Sequence, residues 1–318
     1  MGNPFFSIIM PAYNADKYVD KAIKSVLNQS FRDFELIVIN DGSHDRTADI
    51  CRAYITKDAR FKFIDKENGG VAAARNDALD IAEGQFVMFV DSDDIIYPNS
   101  LQTLYDILVC NKFDYLRFEY KTIDEEGNSL YPNYEAKKRK KFSGKCVDAA
   151  KCIQQLVRGE FFSCVGTYKR SIIENNQLRF MMGCTYNEDT LFMMEYFTHS
   201  KTHSYVSAVM YGYRKTGEAV TSKFTERNYQ DVKRVVEKMI LMIPCENLPY
   251  KIIKRTIESL SIRLILLSKD TTSTEYAFCI NRPIMLEWKV FKFLGLSTGI
   301  KTLPILNVIK KIIRKLYK

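Results

Sequence analysis

Blocks of apolar residues separated by polar, turn-forming ones predict strands alternating with helices over the first 110 residues. Phe5 to Met10 is a nearly unbroken apolar run closed by Pro11, the pattern of a strand buried on both faces. Asn14 is placed to cap a following helix. Its apolar positions, Tyr18, Ala22 and Val26 with Val19, Ile23 and Leu27, recur at helical spacing. Phe34 to Ile39 predicts a second strand, stopped by Asn40-Asp41-Gly42-Ser43, with a short helix around Asp45 to Tyr54. Phe61 to Ile64 is a third strand, ending near Asn68-Gly69-Gly70, and an Ala-rich helix runs from Val71 to Ala82. Phe86 to Val90 is a fourth strand running into Asp91, and Pro98 opens a helix with Leu101, Leu104, Tyr105 and Leu108 inward.

Strands alternating with crossover helices imply an α/β domain with a mainly parallel sheet and helices on both faces. Ligands of such sheets bind outside the carboxyl ends of the strands. Four polar clusters fall at those ends: Ala12-Tyr13-Asn14, Asp41-Gly42-Ser43, Asn68-Gly69-Gly70 and Asp91-Ser92-Asp93-Asp94. One polar loop means little, but four on one predicted edge define a site. Beyond Tyr120 the pattern loosens. A hairpin is expected around Glu126-Gly127-Asn128, a helix over Asp148 to Val157, and a helix opened by Tyr186-Asn187-Glu188-Asp189. A strand is expected over Tyr205 to Tyr213, and mostly helix from Glu226 onward.

At 318 residues, with 46% hydrophobic and 13% aromatic content, the chain has ample material for one large core, or for one core and a smaller appendage. No stretch reaches the roughly 18 uninterrupted apolar residues of a membrane span. The start lacks the basic and apolar regions of a signal peptide. The eight cysteines form no C-x-x-C pair. A cytoplasmic chain with reduced thiols is therefore expected, and a zinc site is not.

The net charge of +9 resides in the tail. After Glu287 there are eight basic and no acidic residues, and the remainder holds 39 basic against 38 acidic side chains. This placement argues against a nucleic-acid surface. In the tail, Ile305, Ile309, Ile312 and Leu316 share one helical face, with Lys310, Lys311, Arg314, Lys315 and Lys318 beside or opposite it. Two readings stand level: a helix docked on the protein's own core, or one lying on an anionic membrane surface.

The chemistry follows from the polar clusters. Carboxylates at a strand end, as in Asp91-Ser92-Asp93-Asp94, suit a hard divalent cation, Mg2+ or Mn2+, that keeps open positions for phosphate oxygens. Asp41 can accept a hydrogen bond from a nucleobase N–H, or its cluster is only a turn. Gly69 and Gly70 let the backbone approach a ligand, and Arg75 can reach a phosphate or a site carboxylate. Glu188-Asp189 either complements a helix dipole or supplies a general base for a sugar hydroxyl. Tyr213-Arg214-Lys215 is an exposed strand end, or it puts a cation near a departing diphosphate. His44, His199 and His203 lack partners at metal-ligand spacing.

Taken together, Ser7 to Asn14, Asn40 to Thr47, Asn68 to Asn76 and Phe89 to Asp94 resemble, in order and spacing, the signatures of the family 2 glycosyltransferases. A looser likeness continues through Tyr168-Lys169-Arg170, Asn187-Glu188-Asp189 and Tyr211 to Arg214. The resemblance implies a GT-A fold and inverting transfer of a sugar from a nucleotide-sugar donor, UDP-linked more often than GDP- or dTDP-linked. It implies contacts from Pro11, Tyr13 and Asp41 to the base, and from Arg75 and Asp91 to the ribose or diphosphate region. Asn14, Asn68 and Ser92 lie in the matching donor loops. Asp93, with Asp91 beside it, would hold the metal. Asp189 would be the base, with Glu188 the second candidate. The expected organisation is a catalytic domain over 1–223 (nucleotide-sugar half 1–120, acceptor half 121–223) and a helical region over 224–318.

The only tryptophan is Trp288, so the Q-x-x-R-W motif of processive members is missing. Transfer of one sugar at a time to a saccharide or lipid-linked acceptor is the expectation. A haloacid-dehalogenase phosphatase would carry its D-x-D after the first strand rather than the fourth. No G-x-G-x-x-G follows a strand, as a dinucleotide enzyme would need. A non-catalytic nucleotide-sugar-binding protein is the remaining alternative, and the presence of both Asp93 and Asp189 argues against it.

Overall fold

The computed structural model describes residues 2–131, 134–216, 225–242 and 248–267. The amino-terminal half follows the expected alternation: β1 (Phe6–Ala12), α1 (Val19–Leu27), β2 (Phe34–Asp41), α2 (Thr47–Arg52), β3 (Phe61–Lys66), α3 (Val71–Ile81), β4 (Phe86–Phe89), β5 (Ile95–Ile96) and α4 (Ser100–Cys110). Next come the hairpin β6 (Tyr115–Ile123) and β7 (Ser129–Tyr131), α5 (Tyr134–Arg139), α6 (Ala149–Lys151), β8 (Gly166–Lys169) and α7 (Arg170–Asn175). The described chain ends with α8 (Glu188–His199), β9 (His203–Arg214), α9 (Glu226–Leu241) and α10 (Tyr250–Leu267).

One nine-stranded sheet runs in the order β3-β2-β1-β4-β8-β6-β9-β5, with β7 on β6. Strands β3, β2, β1 and β4 are mutually parallel, so their carboxyl ends share one edge. Beyond β4 the sheet becomes mixed, which the expected mainly parallel sheet did not include. Strand β8 is antiparallel to both β4 and β6, while β6 and β9 are parallel. Strand β8 left no legible trace because four residues, Gly166 to Lys169, carry too little periodicity. The expected helix over Asp148 to Val157 is α6 continued by a π-helical turn, Cys152 to Val157, and it ends at Arg158 in the left-handed region.

The parallel strands are apolar on both faces because each face has its own core. Ile8 and Met10, Leu36 and Val38, and Met88 and Val90 face α1 and α4. Ile9, Ile37 and Ile39 with Val87 and Phe89 face α3 and α8. The period-2 alternation of a strand sorts these neighbours to opposite sides. In α3 the small side chains of Ala72, Ala74 and Ala78 join the second core. In α9, Tyr229, Val232, Val235, Val236 and Met239 recur at helical spacing. They and Ile252, Ile253, Ile257 and Leu260 of α10 also belong to that core. Among the described residues no helix is long and apolar enough to cross a membrane. The amphipathic tail, Trp288, Cys245 and Cys279 lie outside the described residues. The other six cysteines are free.

Candidate active site

The carboxyl edge of the parallel strands is where the predicted loops meet. Pro11 is the penultimate residue of β1 and is buried, and Tyr13 just beyond is 48% exposed. Asn14 does not cap α1, which starts at Val19 without a side-chain cap. It adopts φ 47° and joins two loops instead. Its backbone N–H donates to Ser43 Oγ at 3.0 Å, and its Oδ1 accepts from the His44 N–H at 2.9 Å. The helix role failed because a left-handed residue five positions early cannot present its side chain to the first helical amides.

Asp41, at the end of β2, is buried and ties the third loop to the second. Its Oδ1 accepts from the Gly69 N–H and its Oδ2 from the Gly70 N–H, both at 2.8 Å, while Asn68 Nδ2 donates to its carbonyl at 2.8 Å. Gly42 makes this approach possible: its φ is +70°, and a Cβ there would lie 2.7 Å from the Asn68 nitrogen. Each Asp41 oxygen retains acceptor capacity for a further donor.

Arg75 is the hub of the site. It is 4% exposed, and its guanidinium reaches three carboxylates that the sequence separates widely. Nη2 donates to Asp91 Oδ1 at 3.0 Å. Nη1 donates to Asp189 Oδ1 at 2.9 Å and to Glu188 Oε1 at 3.1 Å. The guanidinium also lies 5.1 Å from the Phe180 ring centroid. Asp189 gains two more donors from Ser163, whose N–H and Oγ reach it at 3.1 and 3.0 Å. Its side chain is 20% exposed against 11% for Glu188. Burial drives the Asp189 carboxyl above its ordinary value despite Arg75. Burial and the adjacent Asp189 push Glu188 up to about 7. A carboxylate held by fixed donors yet titrating high is chemically a proton acceptor near neutrality.

The acidic loop after β4 divides into two jobs. Asp94 is buried, and burial with Asp93 and Asp91 nearby holds its carboxyl well above the usual range. It accepts from the Tyr211 hydroxyl and from the Arg214 N–H, both at 2.6 Å. The Tyr211 hydroxyl in turn accepts from the Asp91 N–H at 3.2 Å. Arg214, which the sequence reading allowed near a departing diphosphate, packs against backbone carbonyls. It is 3% exposed, and its guanidinium donates to the carbonyls of Asp93 (2.7 Å), Asp124 (2.8 Å) and Glu125 (2.5 Å). Arg214 therefore holds the loop in place. Ser92 is buried within it, and Asp93 is half-buried.

Oxygen atoms of Asp91 and Asp94 and the thiol of Cys164 lie within 4.8 Å of one another. That trio is not the best fit for Mg2+ or Mn2+. Both Asp94 oxygens are occupied, and burial keeps the Cys164 thiol protonated. Asp93 fits better. Burial and the Asp91 charge push its carboxyl up to about 6, a repulsion that a divalent cation shared by the two would relieve. Among the described residues, Asp91, Glu188 and Asp189 pair with Arg75 and Arg214 acts on Asp93, so carboxylates outnumber these cations.

Sequence reasoning missed Ser163, for which Phe161-Phe162-Ser163-Cys164 carries no signal, and gave Tyr211 no role. His203 is a core residue: its Nε2 is 2.7 Å from Ser200 Oγ, and burial lowers it to about 4.

The chain is 30% identical to EpsH of Bacillus subtilis over 241 residues, 72% of this chain and 66% of EpsH. It is 31% identical to the minor teichoic acid biosynthesis protein GgaB of the same organism over 219 residues, 66% of this chain and 23% of GgaB. The chain thus spans just under two thirds of EpsH and a much smaller part of GgaB. The crystal structure of Staphylococcus aureus TarS residues 1–349 in complex with UDP-GlcNAc superposes with a TM-score of 0.71 at 24% identity, covering 87% of this chain and 79% of that one. The fold is accordingly GT-A, with further helices after the sheet. Residues 7–175, more than half of the chain, match the glycosyl transferase family 2, and the chain belongs to that family.

Proposed function

We propose that the protein transfers one sugar from a UDP-sugar to an acceptor hydroxyl, with inversion, in the synthesis of a cell-surface polysaccharide or glycolipid. The observation that carries this reading is Arg75. One buried cation joins the acidic loop of the nucleotide half to the carboxylate pair of α8, so donor and base share one preorganised centre. The UDP-GlcNAc bound by TarS and the teichoic acid role in the name of GgaB favour the donor and the setting.

In this mechanism Asp41, with Pro11 and Tyr13, receives the base, while Asn14 and Asn68 shape the loops around it. Asp93 and Asp91 would hold Mg2+ or Mn2+, which supplies positive charge for the diphosphate. Ser92 and Arg214 keep that loop in register. Asp189 takes the proton of the acceptor hydroxyl as that oxygen attacks the anomeric carbon from the side opposite the leaving diphosphate, so a single displacement inverts the configuration. Arg75 and Ser163 fix the Asp189 carboxylate and limit the reorganisation needed. Burial and the nearby Asp91 charge raise the basicity of Asp189. Residues 1–223 form the catalytic unit in this reading, and 224–318, with the basic tail, form a second region.

Calorimetry with UDP, GDP and dTDP, with and without Mn2+, tests the reading. Tight, Mn2+-dependent binding of UDP that is lost in Asp93→Ala is expected. Metal-dependent binding of none of the three nucleotides overturns it.

The raised carboxyls also set a pH dependence. A base that titrates high is protonated, hence idle, at pH values where an ordinary carboxylate is ionised. The rate kcat/KM should fall as pH drops through a limb above the ordinary carboxylate range, because burial raises the Asp189 carboxyl. A wild-type limb near pH ~4, the ordinary carboxylate value, contradicts the assignment.

A further inference from the structure

Four aromatic side chains are exposed among the described residues, Tyr13, Phe162, Tyr213 and Tyr250, and two of them face each other. The Phe162 and Tyr213 rings are near-parallel, with planes 9° apart and centroids 6.2 Å apart. Tyr120 meets both edge-on, at 5.9 Å and 88° from Phe162 and at 6.4 Å and 81° from Tyr213. The Tyr120 hydroxyl is anchored on Glu160 Oε1 at 3.3 Å. The pair is thus a supported aromatic patch at 39% and 36% exposure, suited to a covering ligand.

The position of this surface says what that is. Phe162 adjoins Ser163, which holds Asp189 through two hydrogen bonds. Tyr213 adjoins Arg214, whose N–H holds Asp94, and on β9 it lies two residues from Tyr211, on the same sheet face. The two rings therefore join the base to the acidic loop. Burial with Asp94 and Asp91 nearby pushes the Tyr213 hydroxyl up to about 12, so it remains an O–H donor. A flat aromatic surface with one hydroxyl donor at its rim matches a pyranose, whose C–H-rich face is apolar and whose edge is hydroxylated.

We propose that the Phe162–Tyr213 pair is the platform on which a pyranose of the acceptor stacks, presenting its hydroxyl to Asp189. This rests on the transferase reading above, and the test separates the two. The probes are the methyl β-glycosides of glucose, galactose and N-acetylglucosamine, measured on the full chain by saturation-transfer NMR with and without UDP and Mn2+. The ring-face protons of at least one glycoside should be saturated. Phe162→Ala and Tyr213→Ala should each weaken that binding by about three- to tenfold, the worth of one aromatic contact. UDP affinity should stay unchanged. Phe162→Leu, which keeps apolar bulk but no ring, should show the same loss, and Phe162→Tyr should retain binding. A chain that binds UDP but saturates none of the three glycosides, or alanine variants that bind them as the parent does, overturns the platform. Weakened UDP-GlcNAc binding with unchanged UDP binding in the same variants also overturns it, by assigning the rings to the donor sugar. Glycoside binding on the rings without any nucleotide binding keeps the platform and removes the transferase reading.

Discussion

Asp189→Asn should lower kcat by about 10²–10⁴-fold, the usual contribution of a positioned general base. The amide keeps the size of the carboxylate and can still accept from Arg75 or Ser163, so the fold and UDP binding should persist. Turnover at fixed pH with intact circular dichroism and intact UDP binding is the measurement. Undiminished turnover in a folded variant would sink the assignment. Glu188 would then become the candidate, since it shares Arg75 and also titrates high.

Replacing Arg75 should have the largest effect on stability. Arg75→Met fills similar volume but leaves Asp91, Glu188 and Asp189 without their shared cation. Removing one partner of a buried ion pair costs about 3–5 kcal/mol. Without the guanidinium, which lowers both, the buried Glu188 and Asp189 carboxyls titrate further above their unfolded values. Their protonated forms are then favoured in the fold, and stability falls as pH rises through those raised values. The deficit against the parent should therefore be larger at pH 8 than at pH 5 in denaturant titrations. Equal stability of the two proteins at both pH values would show that the three carboxylates do not depend on Arg75. Transfer should also be lost, because the base and the acidic loop are no longer held to one centre.

Much of the nucleotide half was legible because its information is local. The continuous apolar runs of β1, β2 and β4 reflect burial on both faces, and their polar ends mark a ligand edge. Asp41, Asn68 and Asp91 stand at strand ends or in the loops just beyond them, so chain order placed them together. The pairing of Arg75 with Glu188 and Asp189 could be posed only as a reach towards some site carboxylate, since more than 100 residues intervene. The basic run Lys137 to Lys141 reads as solvated surface, yet Arg139 in its middle is fully buried. It donates to Glu119 at 3.0 Å and contacts Glu160, which Arg117 also reaches at 3.2 Å. Arg139 is the one arginine among four lysines, the residue type favoured for buried ion pairs, but the run does not show which carboxylates it meets.

The sequence by itself determined the parallel strands, the edge at which their polar loops gather and the identity of most charged groups there, because strand period and turn chemistry act over a few residues. Only the tertiary structure decided what each charge does. It buried Arg214 among carbonyls as a brace, moved Asn14 from helix cap to loop tie, placed Ser163 on Asp189 and inserted β8 between β4 and β6. Each of these depends on contacts between segments far apart in the chain, and a hydrogen bond across such a distance leaves no periodic trace in the residues that make it.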